Sequence, residues 1–255
     1  MFKANNNHEV FFDTWEGEVF DSGGHQIKGY KQIYRWHPET NTRSCLAINS
    51  DNYTHVRNVD VANSIVDAAE SIIGTPQFNS RLSGQMGNKY IMTFDAPDLG
   101  FNDGKTNNNF QLIGVNGFKY TAIKIVLGVL RIFCSNQIII TLAEGEKIIK
   151  NHSGKIDLQE LTGNIEELIE VSKKFESRIL ELRNKKVEDE FISTVAAIDK
   201  ISPKAAEDFL NMFQNVKMQN MYDLYNAYTY FITTVVGALH YKQMQYQRIA
   251  NGFLK

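Results

Sequence analysis

The chain has 255 residues, 43% of them apolar and 22% charged, with a formal net charge of -2. That length and apolar content support one large core or two small ones and exclude wholesale disorder. The near-neutral balance lacks the basic excess of an autonomous duplex-DNA binder, although a local basic face remains compatible with it. Two cysteines, Cys45 and Cys134, make neither a disulfide framework nor a zinc ribbon, so both are expected as small buried thiols in a reducing compartment.

The opening MFKANNNHEV has no apolar run long enough for a secretory signal and no lipidation box, which predicts a cytoplasmic chain. Val10 to Trp15, Tyr30 to Trp36 and Cys45 to Asn49 are β-branched and aromatic runs separated by the turn compositions Asp-Ser-Gly-Gly and His-Pro-Glu-Thr-Asn. They read as a strand meander. Within it KGYKQIYRW alternates, placing Lys31, Ile33 and Arg35 on one face and Tyr30, Gln32, Tyr34 and Trp36 on the other. In DVANSIVDAAESIIG, the apolar residues Val61, Ile65 and Ile72 recur at helical spacing, with Asp60 as N-cap and Gly74 as stop.

A looser stretch follows, TPQFNSRLSGQMGN, then a strand KYIMTFD, then APDLGFNDGKTNNN, expected as an exposed loop before Phe110 to Val115. Gly104-Lys105-Thr106 echoes the end of a phosphate-binding loop, but Leu99 stands where its first glycine belongs and no helix pattern follows. A solvated hairpin loop is the reading adopted. Asn116 to Leu142 holds the densest β-branched run, interrupted by Arg131-Ile132-Phe133-Cys134-Ser135-Asn136. The interruptions and the β-branched bias favour a buried strand over a membrane span, and no membrane partner is expected.

Beyond Gly145 the pattern turns helical. Ile156, Leu158, Leu161, Ile165, Leu168, Phe175, Ile179 and Leu182 repeat at steps of a long amphipathic helix. Phe191 to Ile201 continues after a polar break, and Ser202-Pro203 offers a start for another helix. The last segment, from about Met221, is rich in Tyr and Met. The expected class is therefore α+β: a mostly antiparallel N-terminal sheet with one or two helices over residues 1 to 144, and a helical half over 145 to 255 that packs on the core or mediates assembly.

No chemistry-bearing constellation emerges. The histidines never reach a metal-ligand spacing, no metal or cofactor is expected, and Cys134 with a distant histidine is the one nucleophile pair available, so the chain is not expected to be an enzyme. Two cation-aromatic clusters stand out. Lys28, Lys31, Arg35, Arg43 and Arg57 interleave with Tyr30, Tyr34, Trp36 and Tyr53, while Lys217, Lys242, Arg248 and Lys255 accompany Tyr222, Tyr225, Tyr228, Tyr230, Tyr241 and Tyr246. Stacked bases and phosphates on single strands suit either cluster, but tyrosines at helical spacing more often pack, against other helices or in an oligomer contact.

The order HPETNTRSCLAINSDNYTHVRNVDVANSIVDAA, RIFCSNQIIIT and KNHSGKI resembles the phage/plasmid-like family catalogued as domain of unknown function 932, over roughly residues 44 to 185. The residues that carry the likeness are Tyr53, Val56 and Asn58, then Arg131, Cys134, Ser135 and Asn136, then His152, Ser153, Gly154 and Lys155. Gln137 departs from it where a glycine is usual, and residues 79 to 109 have no counterpart. The resemblance implies a mobile-element protein in the host cytoplasm, encoded near replication and recombination functions, and supplies no catalytic residues. Tyr53, Asn58, Arg131, Cys134, Asn136 and His152 are read as structural, with Arg131 anchoring a carboxylate or carbonyls, Asn136 holding a turn and His152 pinning the start of the helical half. Together these observations lead to the expectation of an oligomeric protein of phage or plasmid DNA metabolism that binds single-stranded nucleic acid, an annealing or recombination protein similar in outline to the Rad52-like kind. The alternative is a host-directed protein that inhibits a bacterial defence or replication factor.

Overall fold

A computed structural model describes residues 9–102, 107–119, 121–131, 137–139, 148–187, 204, 207, 211 and 219–230. Three strands come first: β1 (Thr14–Phe20), β2 (Gln26–His37) and β3 (Thr42–Ser50). Helix α1 (Asn58–Ile73) leads to β4 (Gln77–Phe78), β5 (Gly84–Met86), β6 (Lys89–Asn102), β7 (Asn107–Asn116), β8 (Ile123–Arg131), β9 (Gln137–Ile139) and β10 (Ile148–Lys150). Helices α2 (Leu158–Asn184) and α3 (Met221–Tyr230) complete the described elements.

The strands form two sheets. One is the antiparallel meander β1-β2-β3; the other has the order β10-β8-β7-β6-β4, with β5 paired to β6 and β9 to β8. Turn chemistry closes the first meander where the composition predicts it. The Asp21 carboxylate accepts from the backbone N–H groups of Gly23 and His25, each at 2.8 Å, and Gly24 takes φ +82°. These bonds also hold the Asp21 carboxyl below its ordinary pKa, against the opposing effect of burial.

The chain divides into two compact units. Unit 1 comprises Met1–Asp98, Gln111–Val126 and Lys147–Glu167; unit 2 comprises Leu99–Phe110, Leu127–Glu146 and Leu168–Lys255. In unit 1, α1 buries Val61, Ala62, Ile65, Val66, Ala69 and Ile73; Val61 and Ile65 lie on this stripe as their spacing predicts, whereas Ile72 is 40% exposed. It lies on β7 at Gly114, where an added Cβ would stand 2.6 Å from Ile65 Cδ1 and 3.4 Å from Met92 Cε. The missing side chain is what lets Ile65 reach the sheet. In unit 2, α3 buries Tyr222, Tyr225 and Tyr228 at 2%, 1% and 0% exposure, so this part of the tyrosine stripe packs inside the protein. Burial correspondingly pushes the Tyr225 phenol far up.

The α+β division with a helical C-terminal half is overturned: the described protein is mostly β-sheet, two antiparallel sheets of ten strands with three helices, and no helical half is apparent among the described residues. β10 lies beyond the expected change at Gly145 and returns to the sheet, pairing Ile148 with Ile125 and Lys150 with Ile123. Three residues are too few to leave a period, and the helical signal of the following segment masked them. Asp60 is not the N-cap; α1 starts at Asn58, and Asp60 sits in its first turn paired with Arg57. The expected loop APDLGFNDGKTNNN is largely strand, since β6 runs to Asn102 and β7 starts at Asn107, leaving 103–106 outside the described residues. Cys45 is exposed, not buried.

Within the β-branched stretch Asn116 to Leu142, β8 and β9 pair antiparallel, Gly128 with Ile139 and Leu130 with Gln137. Cys134 and Asn136 lie outside the described residues, as do Lys217, Lys242 and Arg248, and of Arg131 only the backbone strand position is described. Among the described residues no helix is long and apolar enough to cross a membrane.

Ile65 is fully buried at the helix-sheet contact. Ile65→Ala should lower stability by about 2–5 kcal/mol and Ile65→Val by about 0.5–1.5 kcal/mol. Urea denaturation checks this through a fall in midpoint at unchanged slope.

Candidate functional site

The register of β1-β2-β3 sorts side chains onto two faces, because directly opposed residues point the same way and successive ones alternate. Thr14, Arg35 and Ser44 share a row, as do Glu16, Ile33 and Ala47, and Glu18, Lys31 and Asn49. Thr14, Ile33, Ala47 and Asn49 are buried, so this face looks inward. The alternate rows are Trp15, Tyr34 and Cys45; Gly17, Gln32 and Ile48; Trp36 with Arg43; and Tyr30 with Ser50. Here Trp15, Tyr30, Trp36 and Ile48 are exposed by 42%, 53%, 38% and 49%. The alternation read from KGYKQIYRW is the one the ladder has.

On this outer face Trp15 and Tyr34 stack across strands, with ring centroids 5.9 Å apart and an interplanar angle of 24°. The Arg43 guanidinium lies 5.6 Å from the Tyr34 ring centre on the opposite strand. Gly17 makes room for this group, since a Cβ there would come within 3.2 Å of both Tyr34 and Gln32. A shift of register between Ile33 and Tyr34 sets Leu46 outside the one-to-one pairing and brings Cys45 level with Tyr34. The result is a sheet surface of aromatic rings with a cation on it. Extended, unstacked bases can lie on such a surface whatever their sequence, because every base has a π-face.

The cations named from the sequence are not brought together on this surface. Arg43 is on it, and Lys28 is exposed beside it along a groove of about 450 Å³ lined by Glu16, Glu18, Tyr30, Lys31 and Asp51. Lys31 is on the inner side, paired with Glu16 at 2.8 Å. Arg35 is inward too, its guanidinium 4.2 Å from the centre of the Phe12 ring. Arg57 is exposed but engaged by both oxygens of Asp60 at 2.7 and 2.8 Å, which raises its pKa. The sequence signal for Trp15 was present in the first strand run, but its row could not be assigned without the partner strand.

Tyr53, Asn58 and His152 do converge, around Asn116, in a junction of unit 1. The His152 ring has Nδ1 2.8 Å from Thr54 O and Nε2 3.0 Å from Asn116 Oδ1. Asn116 donates through Nδ2 to Val56 O and to Asn58 Oδ1, each at 2.9 Å, and Asn58 donates to Val10 O at 2.7 Å. Tyr53 donates its hydroxyl to Gly117 O at 3.0 Å and stacks on the His152 ring at 4.8 Å and 7°. Thr54 binds the same segment through its N–H to His152 O, at 3.0 Å, and its hydroxyl to Gly154 O. Burial disfavours charge on His152 and lowers its pKa, with the Thr54 carbonyl acting in the opposite direction. Burial likewise lowers His55, whose Nε2 lies 2.8 Å from Thr14 Oγ1. Asn116, the hub, escaped the sequence reading as a functional position: Asn-Gly between apolar runs signals a turn and gives no hint of buried partners.

No protein-family model matches the chain, and neither a curated protein nor a solved structure matches it significantly.

Removing the hub leaves several buried polar groups without partners, each costing about 1–3 kcal/mol. Asn116→Ala should therefore destabilise the protein by about 3 kcal/mol or more, and Tyr53→Phe, which loses one half-buried bond, by about 1 kcal/mol. Thermal or urea unfolding of the two variants checks the order; equal losses would show that the hub is not shared.

Proposed function

We propose that the chain binds single-stranded nucleic acid on the outer face of the β1-β2-β3 sheet, in the DNA metabolism of a phage or plasmid. The observation that carries this reading is the outer-face group of exposed Trp15, Tyr30 and Trp36 around half-buried Tyr34, with Arg43 beside it. Monomeric proteins seldom leave several large aromatic rings on one sheet face unless that face meets a ligand or partner. Flat rings and a guanidinium select for bases and phosphate in a sequence-tolerant manner. The mobile-element setting rests on the resemblance carried by Tyr53, Asn58, Arg131, Cys134, Asn136 and His152. Copies of the chain assembled side by side would present the rings repeatedly along a strand, which annealing of two strands requires.

A second reading is favoured by Ile48, exposed on the same face among the rings. An aliphatic side chain contributes little to base stacking and more to a protein contact. On this reading the face docks a host protein, and the interaction survives nuclease and high salt.

The chain contains two tryptophans, Trp15 and Trp36, and both lie on the proposed face, so tryptophan emission reports on it alone. Titration with a thymidine oligonucleotide at about 50 mM salt should quench the emission, since phosphate contacts are strongest at low salt. Tyr34→Ala, which leaves both reporters in place, should weaken binding about tenfold, as expected for one lost stack of about 1–3 kcal/mol. Arg43→Ala should reduce the salt slope by about 0.7, the value for one phosphate on a single strand. Absence of quenching at low salt would sink the proposal.

A further inference from the structure

The buried junction holds more acceptors than a neutral imidazole can serve. Its ends are the backbone carbonyls of Val10, Val56 and Thr54, which can only accept. Asn58 donates Nδ2 to Val10 O, which directs its Oδ1 to Asn116. Asn116 donates Nδ2 both to that oxygen and to Val56 O, which directs its own Oδ1 to His152 Nε2. On the other side of the ring Nδ1 faces Thr54 O. Both ring nitrogens therefore meet oxygens that accept. Turning the Asn116 amide would set its oxygen against Val56 O, and turning Asn58 as well would set oxygen against Val10 O, so neither amide has an equally satisfied alternative.

We propose that His152 is a buried imidazolium in the native protein, donating from both nitrogens to Thr54 O and Asn116 Oδ1, and that its deprotonation releases a latch joining the β3-α1 loop, the end of β7 and residues 150–154. The ring lies flat on Tyr53, an aromatic face that favours a cation over a neutral ring. From the β3-α1 loop the titratable neighbours are Tyr53 and His55; burial raises the Tyr53 phenol and keeps it neutral, and burial with help from His152 itself keeps His55 low. From β7 the neighbour is the uncharged Asn116, and on its own segment Lys150 and Lys155 flank it. Burial pushes the ring's pKa down and the Thr54 carbonyl pushes it up; the second acceptor, Asn116 Oδ1, and the Tyr53 face add the support that on this proposal outweighs burial.

The sign follows from linkage. A ring held charged in the fold has its pKa above the unfolded value of about 6.5, so its stabilisation is full below that pH and is lost as pH rises through the folded value. The full chain with nitrogen-labelled histidine rings tests this by magnetic resonance. His152→Gln assigns the resonance by its disappearance, and where that variant fails to fold, cross-relaxation between the imidazole and the Tyr53 ring assigns it instead. Both ring nitrogens should be protonated at about pH 7, and the thermal midpoint should fall between about pH 6 and 9. One bare ring nitrogen at about pH 7, or a midpoint that does not fall over that range, overturns the proposal.

Discussion

Carbonyl groups at Val10, Thr54 and Val56 lie outside every strand and helix, yet Val10 and Val56 are buried and Thr54 is half-buried. A buried carbonyl without a donor costs about as much as a lost hydrogen bond. The three side chains Asn58, Asn116 and His152 answer that demand, and in doing so they fix where four separate pieces of chain must meet. The same device recurs at the turn after β7. Asn49 of β3 donates to Phe118 O at 2.8 Å and Tyr53 donates to Gly117 O, so the first meander is tied by its inner side to that turn. Gly117 admits the arrangement because a Cβ there would collide with the backbone oxygen of Asn88.

With its inward side committed in this way, the β1-β2-β3 sheet can present the other side to solvent. Inner cations are absorbed locally, Lys31 by Glu16 and Arg35 by the ring of Phe12. The two faces thus differ in chemistry as well as in burial: charge and small polar groups within, rings and a guanidinium without. On the proposal that this face binds single strands, Trp15, Tyr34 and Trp36 would hold bases without specific hydrogen bonds, so binding would tolerate sequence.

Periodic features were legible in the sequence and long-range ones were not. The two faces of residues 28 to 36 follow from alternation, and the buried positions Val61 and Ile65 of α1 and Ile165, Ile179 and Leu182 of α2 follow from helical spacing, because each depends on neighbours in the chain. Tyr53, Asn58 and His152 were singled out through a family likeness, but nothing in the chain announced that they meet. Asn116 and Asn58 are 58 positions apart, and His152 and Thr54 are 98 apart. Charge was misleading for the opposite reason: five cations in one stretch suggest a basic face until Glu16 and Asp60 are seen beside two of them. The helical half failed on a similar blindness, since β10 has only three residues and gains its identity from Ile123 and Ile125 on another strand.

Both outer strands of the small sheet, β1 and β3, are edges, and the face between them is rich in rings. Such a combination is an invitation to strand addition and fibre growth. Irregular pairing works against it. The ladder shifts between Glu18 and Phe20 on one side and between Ile33 and Tyr34 on the other, and Gly29 takes φ +84° within β2. A second copy laid against either edge would have to match a broken, twisted register to continue it. The irregularity that brings Cys45 level with Tyr34 thereby also works against continuation of the ladder at the β3 edge.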